Sequence, residues 1–270
     1  MTSLQQKLAK VKKILAACGG AVIAYSGGVD STLLAKIAHD VLGEKALMVT
    51  AASMFYTDKE TQEAVKLARK LGFKHQLVHL DLEENHEILA NPLDRCYYCK
   101  KELIARLKDI AHRHHLPCIF DGSNVDDEGD YRPGLLAAKE QGVRSPLKEA
   151  GLTKNEIRQL SQMYKLPTWD KPSMACLASR IPYTERITKE KLQMTGKAEE
   201  FLRQLGFSQL RVRLHGSLAR IEVLPEELPM IIKKAAEINQ YLKTLGYAYV
   251  TVDLQGYRTG SMNEVLPTKQ

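Results

Sequence analysis

Two rhythms of apolar and polar positions alternate along the first 165 residues. Residues 7–17 place apolar side chains at helical spacing, at Leu8, Val11, Ile14 and Leu15, and Gly19-Gly20 ends the run. Residues 21–25 form a short continuous apolar segment that runs into glycines, the pattern of a buried strand entering a loop. The alternation then repeats: helix 31–42 closed by Gly43, strand 46–50, helix 58–71 closed by Gly72, strand 75–80, helix 103–115, strand 117–120 and helix 153–164. This order predicts an α/β domain with a parallel sheet covered on both faces. Ligands of such sheets sit beyond the carboxyl ends of the strands. Function is therefore expected in the loops after Tyr25, Thr50, Leu80 and Phe120.

The periodicity fails over residues 165–188, which Pro167, Pro172 and Pro182 interrupt, as in a linker or a functional loop. Helix 189–205, strands 210–214 and 219–224 around His215-Gly216, helix 229–245 and strand 247–254 follow, a small α+β unit. The expected organisation is a first domain over 1–166, an active-site loop over 167–187 and a C-terminal α+β domain over 188–270, for substrate binding or oligomerisation. No run of 18 apolar residues occurs, so no membrane span is expected. No secretory signal is recognisable, which points to the cytoplasm. Lysine and arginine number 39 against 32 aspartates and glutamates, a net charge of +7. An anionic partner such as a nucleotide, a phosphorylated metabolite or RNA fits that excess. A basic enzyme with no polyanion partner fits it equally.

Ser26-Gly27-Gly28-Val29-Asp30-Ser31 lies between the first strand and its helix. The glycines let backbone approach a ligand and present N–H groups. Ser26 and Ser31 add hydroxyl donors, and the following helix N-terminus adds a positive dipole end, which suits pyrophosphate. Asp30 is an acid at a site built for anions, which makes sense if it holds Mg²⁺. A Gly-Gly pair alone would read as an ordinary turn; six such residues between strand and helix are more specific. The segment resembles the signature of the PP-loop ATP pyrophosphatases, the family of GMP synthetases, NAD synthetases and tRNA thiolases. The resemblance implies an adenine nucleotide alpha hydrolase-like domain that splits ATP between its α- and β-phosphates. It also implies an adenine seat at Thr50-Ala51-Ala52-Ser53-Met54, with Ala51 and Met54 as contacts, although a simple strand end would look the same. No GxxxxGKS loop is present, which disfavours γ-phosphate transfer.

Residues 121–128, DGSNVDDE, follow the fourth strand with one glycine and four carboxylates. Next to phosphates such a cluster calls for a cation, so a Mg²⁺ site shared by Asp30 and Asp126, with Gly122 against the nucleotide, is one reading. A solvated acidic turn is the other. Arg132 or Arg144 could clamp a phosphate or merely pair with the acidic loop.

Five cysteines occur, and in a reducing compartment structural disulfides are not expected among them. Cys18 and Cys118 fit inert core packing. Cys96 and Cys99 form a CxxC in the loop leading to the helix at Lys100, and Cys176 lies in the proline-rich break. A redox pair, a zinc site completed by Cys176 and His79, His86 or His112, and a [4Fe–4S] cluster on Cys96, Cys99 and Cys176 with one open iron are all compatible with that spacing.

SGGVDS, DRCYYCKKEL, DGSNVDDEGDYRPG, RSPL, ACLASRIPY and RVRLHGSLARIEV together resemble one PP-loop branch, the LarE family of ATP-dependent sulfur transferases. That family makes the nickel-pincer cofactor of lactate racemase. The resemblance implies that a carboxylate of a pyridinium dicarboxylate mononucleotide is adenylated, and that a sulfur nucleophile displaces AMP to leave a thiocarboxylate. Activation is needed because a free carboxylate resists thiolate attack. Two sulfur routes exist: sacrifice of Cys176, or sulfide delivered by a [4Fe–4S] cluster. Single-turnover forms carry only the equivalent of Cys176; the added Cys96 and Cys99 favour the cluster. Implied partners are the mononucleotide, sulfide or another sulfur donor, other cofactor-maturation proteins and further copies of the chain in a homo-oligomer.

Arg211 and Arg213 alternate on a strand and share one face, a two-armed anion site to which Arg180 could add a third arm for the substrate phosphate. An exposed charged strand face is the plainer alternative. Glu199 and Glu222 could pair these arginines or hold a cation. A tRNA thiolase is the competing function, disfavoured by Val29 in place of the usual lysine and by the lack of a basic–aromatic RNA module. A nucleotide-binding scaffold without turnover is a third.

Overall fold

The computed structural model describes residues 2–129, 133–172 and 175–265. The chain forms two compact units, Met1–Leu82 with Asp94–Met174, and Glu83–Leu93 with Ala175–Gln270. Arg132, Ser173 and Met174 lie outside the described residues.

In the first unit, α1 (Ser3–Cys18) opens with a capping box between Thr2 and Gln5. It is followed by β1 (Ala21–Ala24), α2 (Val29–Leu42), β2 (Ala46–Ala52), α3 (Asp58–Lys70) and β3 (His75–His79). The chain enters the second unit for α4 (His86–Leu89), then returns as α5 (Arg95–Arg113), β4 (Cys118–Phe120), α6 (Pro133–Glu140), α7 (Pro146–Glu149) and α8 (Lys154–Met163). The strands form a sheet in the order β3-β2-β1-β4, and every pairing is parallel. Period-two alternation divides β1 between two cores. Ala21 and Ile23 join the cluster shared with α1, α2, α3 and α8, while Val22 joins Leu107, Ile110 and Ala111 of α5. The sheet is therefore covered on both faces, as the alternating pattern predicts. From β1 the chain steps outward to β2 and β3 and then crosses back to β4 on the other side of β1, so the loops after β1 and β4 meet at a topological switch point.

Two expectations are corrected here. Cys96 and Cys99 stand at the start of α5 rather than in a loop before it, because the helix begins at Arg95, just after Asp94. Cys18 and Cys118, expected as reduced core residues, are joined by a disulfide with Cα atoms 6.3 Å apart. The parallel register explains this: Ala21 lies opposite Cys118, so the end of α1 arrives beside the start of β4. Cys96, Cys99 and Cys176 are in no disulfide.

The second unit contains α9 (Lys189–Gln204), β5 (Leu210–His215), β6 (Leu218–Val223), α10 (Leu228–Lys233), α11 (Ala235–Thr244) and β7 (Tyr249–Val252). The expected helix over 229–245 is broken at Lys234, whose ψ of 12° interrupts the helical backbone. β5 and β6 form an antiparallel hairpin and β7 adds to β6 in parallel. α9 packs on β5 with Ala198 and Leu202 buried. The excursion carrying α4 belongs to this unit through buried Asn91, whose side-chain amide donates to the carbonyls of Ile181 (3.3 Å) and Pro182 (2.6 Å).

Candidate functional site

The turn from β1 into α2 is shaped by glycine. Gly27 has φ of 68°, and a Cβ there would lie 3.0 Å from both Cα and Cβ of Ala64, so both backbone and space demand glycine. Within the turn the Ser26 N–H donates to Ser31 Oγ at 3.2 Å, and the two serine hydroxyls lie 3.0 Å apart. Gly28 stands at the N-cap of α2 without a capping side chain, leaving the helix N-terminus to an outside anion.

Gly122, from the loop after β4, packs on this helix start: a Cβ would meet Ser31 N at 3.0 Å and the Asp30 carbonyl carbon at 3.2 Å. Buried Asn124 donates from Nδ2 to Asp30 Oδ1 at 3.2 Å. The ammonium of Lys154, the first residue of α8, pairs with Asp30 Oδ2. Asp126 accepts the backbone N–H of Lys154 at 2.7 Å, so its carboxylate holds the start of α8. The two expected Mg²⁺ carboxylates are thus linked through one lysine. Among the described residues no group of three or more His, Cys, Asp or Glu side chains could hold a metal ion. Asp30 still suits a divalent ion that draws its remaining ligands from phosphates and water, since Mg²⁺ commonly uses one or two carboxylates.

Two more lysines converge on this end of the sheet. Lys171 Nζ donates to the Gly27 carbonyl at 3.3 Å and lies 3.7 Å from Glu63. Lys100 Nζ donates to Asp121 at 3.1 Å. Burial works against the Asp121 charge, but Lys100 and the Ser145 and Ser123 hydrogen bonds outweigh it and hold the carboxyl below its ordinary range. Under the expected adenine seat, Thr50 Oγ1 donates to the Tyr25 carbonyl (2.9 Å) and meets His75 Nε2 (2.8 Å). Burial lowers the His75 pKa, and a hydroxyl that has spent its proton accepts an Nε2–H from the imidazole. Ala51 and Met54 lie half-buried just beyond. Arg144 is exposed and bound to Glu149 by two hydrogen bonds of 3.1 and 2.5 Å, so it does not pair with the acidic loop.

In the second unit the expected charged strand face is buried. Arg213 forks onto Glu222 with two bonds of 3.0 Å and donates to the Ser179 carbonyl and Ser261 Oγ, both at 2.7 Å. Arg180 forks onto Glu199 at 2.7 and 2.9 Å, and its Nη1 also holds the carbonyls of Ala175 and Cys176. Glu199 takes Arg203 and the Val212 N–H as well. Burial pushes the Glu199 pKa up, yet Arg180, then Arg211 and Arg203, bring it down to about 2. Arg211 lies over the Tyr257 ring at 5.2 Å, and burial together with the Arg180 charge lowers its pKa. An additional anion beside Arg211 would relieve that field. The free thiol of Cys176 stands at the start of the short helical turn Leu177–Arg180, tied to this cluster through its carbonyl.

Lys154, Lys171 and Lys100 carry no mark in the sequence pattern. Each reaches its partner across more than 20 positions, and no local signal singles them out.

Residues 2–112 match the NAD synthase family model. The chain is 46% identical to an uncharacterized protein of Synechocystis, over 97% of this chain and 99% of that one. It is 39% identical to the pyridinium-3,5-bisthiocarboxylic acid mononucleotide synthase of Lactiplantibacillus plantarum, over 100% of this chain and 98% of that enzyme. It is 24% identical to one of the subunits of the glutamine-hydrolyzing GMP synthase of Archaeoglobus fulgidus, over 69% of this chain and 65% of that polypeptide.

Proposed function

The chain belongs to the LarE family of PP-loop ATP-dependent sulfurtransferases, and on that premise we propose that it adenylates a carboxylate of pyridinium-3,5-dicarboxylate mononucleotide and converts it to a thiocarboxylate. The observation that carries the reading is the glycine-shaped turn after β1, with Asp30 held between Asn124 and Lys154. Ser26, Gly27, Gly28 and Ser31 would cradle the leaving pyrophosphate with backbone N–H groups, hydroxyls and the α2 dipole. Ala51 and Met54 would flank the adenine. A divalent cation bound with ATP would be held by Asp30 and would supply charge neutralisation. Lys154, relieved of that carboxylate, can then pair with phosphate oxygen, and Lys171 adds a second positive charge. The carboxylate oxygen attacks the α-phosphorus, the α–β phosphoanhydride bond breaks, and pyrophosphate leaves with the electron pair. The sulfur nucleophile then attacks the acyl carbon, and AMP departs.

Arg211, with Arg180 and Arg213 beside it, would receive the substrate's phosphate in the second unit. For sulfur, Cys96, Cys99 and Cys176 would hold a [4Fe–4S] cluster, which supplies a sulfide without loss of protein sulfur. What supports this reading is the chemistry of the residues: three thiols outside any disulfide, two of them at i and i+3 on one helix turn. A second reading, sacrifice of Cys176, is favoured by its attachment to the arginine cluster that would seat the substrate.

Purified protein given ATP, Mg²⁺ and the dicarboxylate mononucleotide tests the function. Pyrophosphate and AMP in equal amounts, with a thiocarboxylate product, are expected; release of orthophosphate from the γ-position instead would overturn the proposal. Intact mass after turnover separates the sulfur routes, since sacrifice removes the elements of hydrogen sulfide from Cys176 while delivery from a cluster leaves the chain unchanged.

A further inference from the structure

We propose, resting on the reading of Arg211 as the arm that receives the substrate's phosphate, that Tyr257 is the residue that positions this arm. Its ring face balances the guanidinium charge and leaves the N–H edge to a phosphate monoester. Arg180, Arg211 and Arg213 gather in the second unit, and two of them are spent on carboxylates. Arg180 forks onto Glu199, and Arg213 forks onto Glu222. Arg203 and the Val212 N–H also bind Glu199, while Arg220 and Ser261 share Glu222. Arg211 makes neither fork. It is buried, donates to the Leu210 carbonyl at 2.6 Å, and lies over the Tyr257 ring with its Cζ 5.2 Å from the ring centre.

The kind of partner matters. Burial and the nearby charges of Arg180 and Arg213 work against the Arg211 cation, so it needs a source of negative potential. A carboxylate would supply that potential through the N–H donors and would then compete with an incoming phosphate. An aromatic face supplies it through the ring quadrupole and takes no donor. The donors stay at the guanidinium edge, where a phosphate can meet them in pairs.

The ring is itself fixed by the chain on either side. Gly256 has φ of 71°, and a Cβ there would lie 2.7 Å from the Val223 carbonyl oxygen, so the turn before Tyr257 demands glycine. The Gly256 N–H donates to the Asp253 carbonyl at 3.0 Å, and the Tyr257 N–H donates to the Val223 carbonyl at 2.7 Å. Beyond the ring, Arg258 donates to Asp253 Oδ1 at 3.2 Å and forks onto Glu264 at 2.8 and 3.0 Å. Ser261 Oγ accepts from Arg213 at 2.7 Å and donates to Glu222. Residues 253–264 are thus fastened before and after Tyr257, and one end of the fastening is the arginine–glutamate cluster itself.

Calorimetric binding of pyridinium-3,5-dicarboxylate mononucleotide to the full-length chain, without ATP, tests this apart from turnover; the dephosphorylated nucleoside is the control ligand. Tyr257→Leu should weaken the mononucleotide about tenfold and leave the nucleoside unchanged, and Tyr257→Phe should recover most of the loss. Fluorinated phenylalanines placed at position 257 weaken the negative ring face at nearly constant shape, so mononucleotide affinity should fall with each added fluorine. That series decides alone if Tyr257→Leu does not fold. Arg211→Met separates this proposal from the reading beneath it. If Arg211→Met weakens the mononucleotide while Tyr257→Leu binds it like the native chain, or if affinity ignores fluorination, only the role of Tyr257 is overturned. Equal weakening of mononucleotide and nucleoside in Tyr257→Leu would mark a packing defect and overturn it too. If the native chain fails to bind the mononucleotide, or Arg211→Met binds it equally well, both readings fall.

Discussion

The turn after β1 in the first unit and the arginine–glutamate cluster of the second both gather charge, and they do so in opposite ways. Asp30 and Lys154 form a pair open to water, with side chains 23% and 33% exposed. Glu199 and Glu222 are 1% and 0% exposed, and each is fastened by two or more arginines. The first arrangement can trade partners: a cation can replace the lysine at little cost, because water compensates each ion when it is released. The second cannot, because a buried ion that loses its partner keeps its desolvation penalty. Binding and release of ATP at the proposed site would need the former. A fixed frame around Cys176 and Arg211 needs the latter.

Breaking the buried side should have the largest effect. Glu199→Ala strands Arg180 and the Val212 N–H and should cost about 3–5 kcal/mol of stability, measured by denaturant unfolding of the full chain. Acid should act on the same group. The Glu199 pKa is depressed from its ordinary 4.5 to about 2, so its contribution is complete above 4.5 and is lost as pH falls towards 2. Circular dichroism of the second-unit transition in Glu199→Gln should lack that acid limb. On the nucleotide side, Gly27→Ala combines a left-handed backbone with the approach to Ala64, and should reduce pyrophosphate release by about 100-fold. The smallest structural effect belongs to Lys154→Met. It should change stability by less than about 1 kcal/mol, yet slow pyrophosphate release by roughly tenfold. Equal losses of stability in Lys154→Met and Glu199→Ala would erase the distinction between the two regions.

The first unit is legible in the sequence where its physics is local. Apolar runs mark each strand and helix from residue 7 to 80, glycine closes the helices, and the SGGVDS turn shows itself through residue type and position. Interactions between distant segments are not legible. Lys154 reaches Asp30 across 124 positions, and Cys18 meets Cys118 across 100. The parallel register of β1 and β4, which no local pattern encodes, sets the second meeting. The start of α5 is hidden because Asp94 and Arg95 carry no apolar rhythm, while the tyrosines and cysteines after them resemble a loop. Arg211 and Arg213 do stand two apart on one strand, as their alternation predicts. Their burial is not foreseeable, because the glutamates that make it tolerable come from α9 and β6.

Oxygen transfer reports the central chemistry most directly. When the carboxylates of the mononucleotide are labelled with ¹⁸O and the reaction is run with ATP, attack of a carboxylate oxygen on the α-phosphorus places one label in each AMP released. The account predicts AMP carrying a single ¹⁸O in proportion to thiocarboxylate formed. Thiocarboxylate accompanied by unlabelled AMP would contradict it, since the carboxylate would then never have been adenylated.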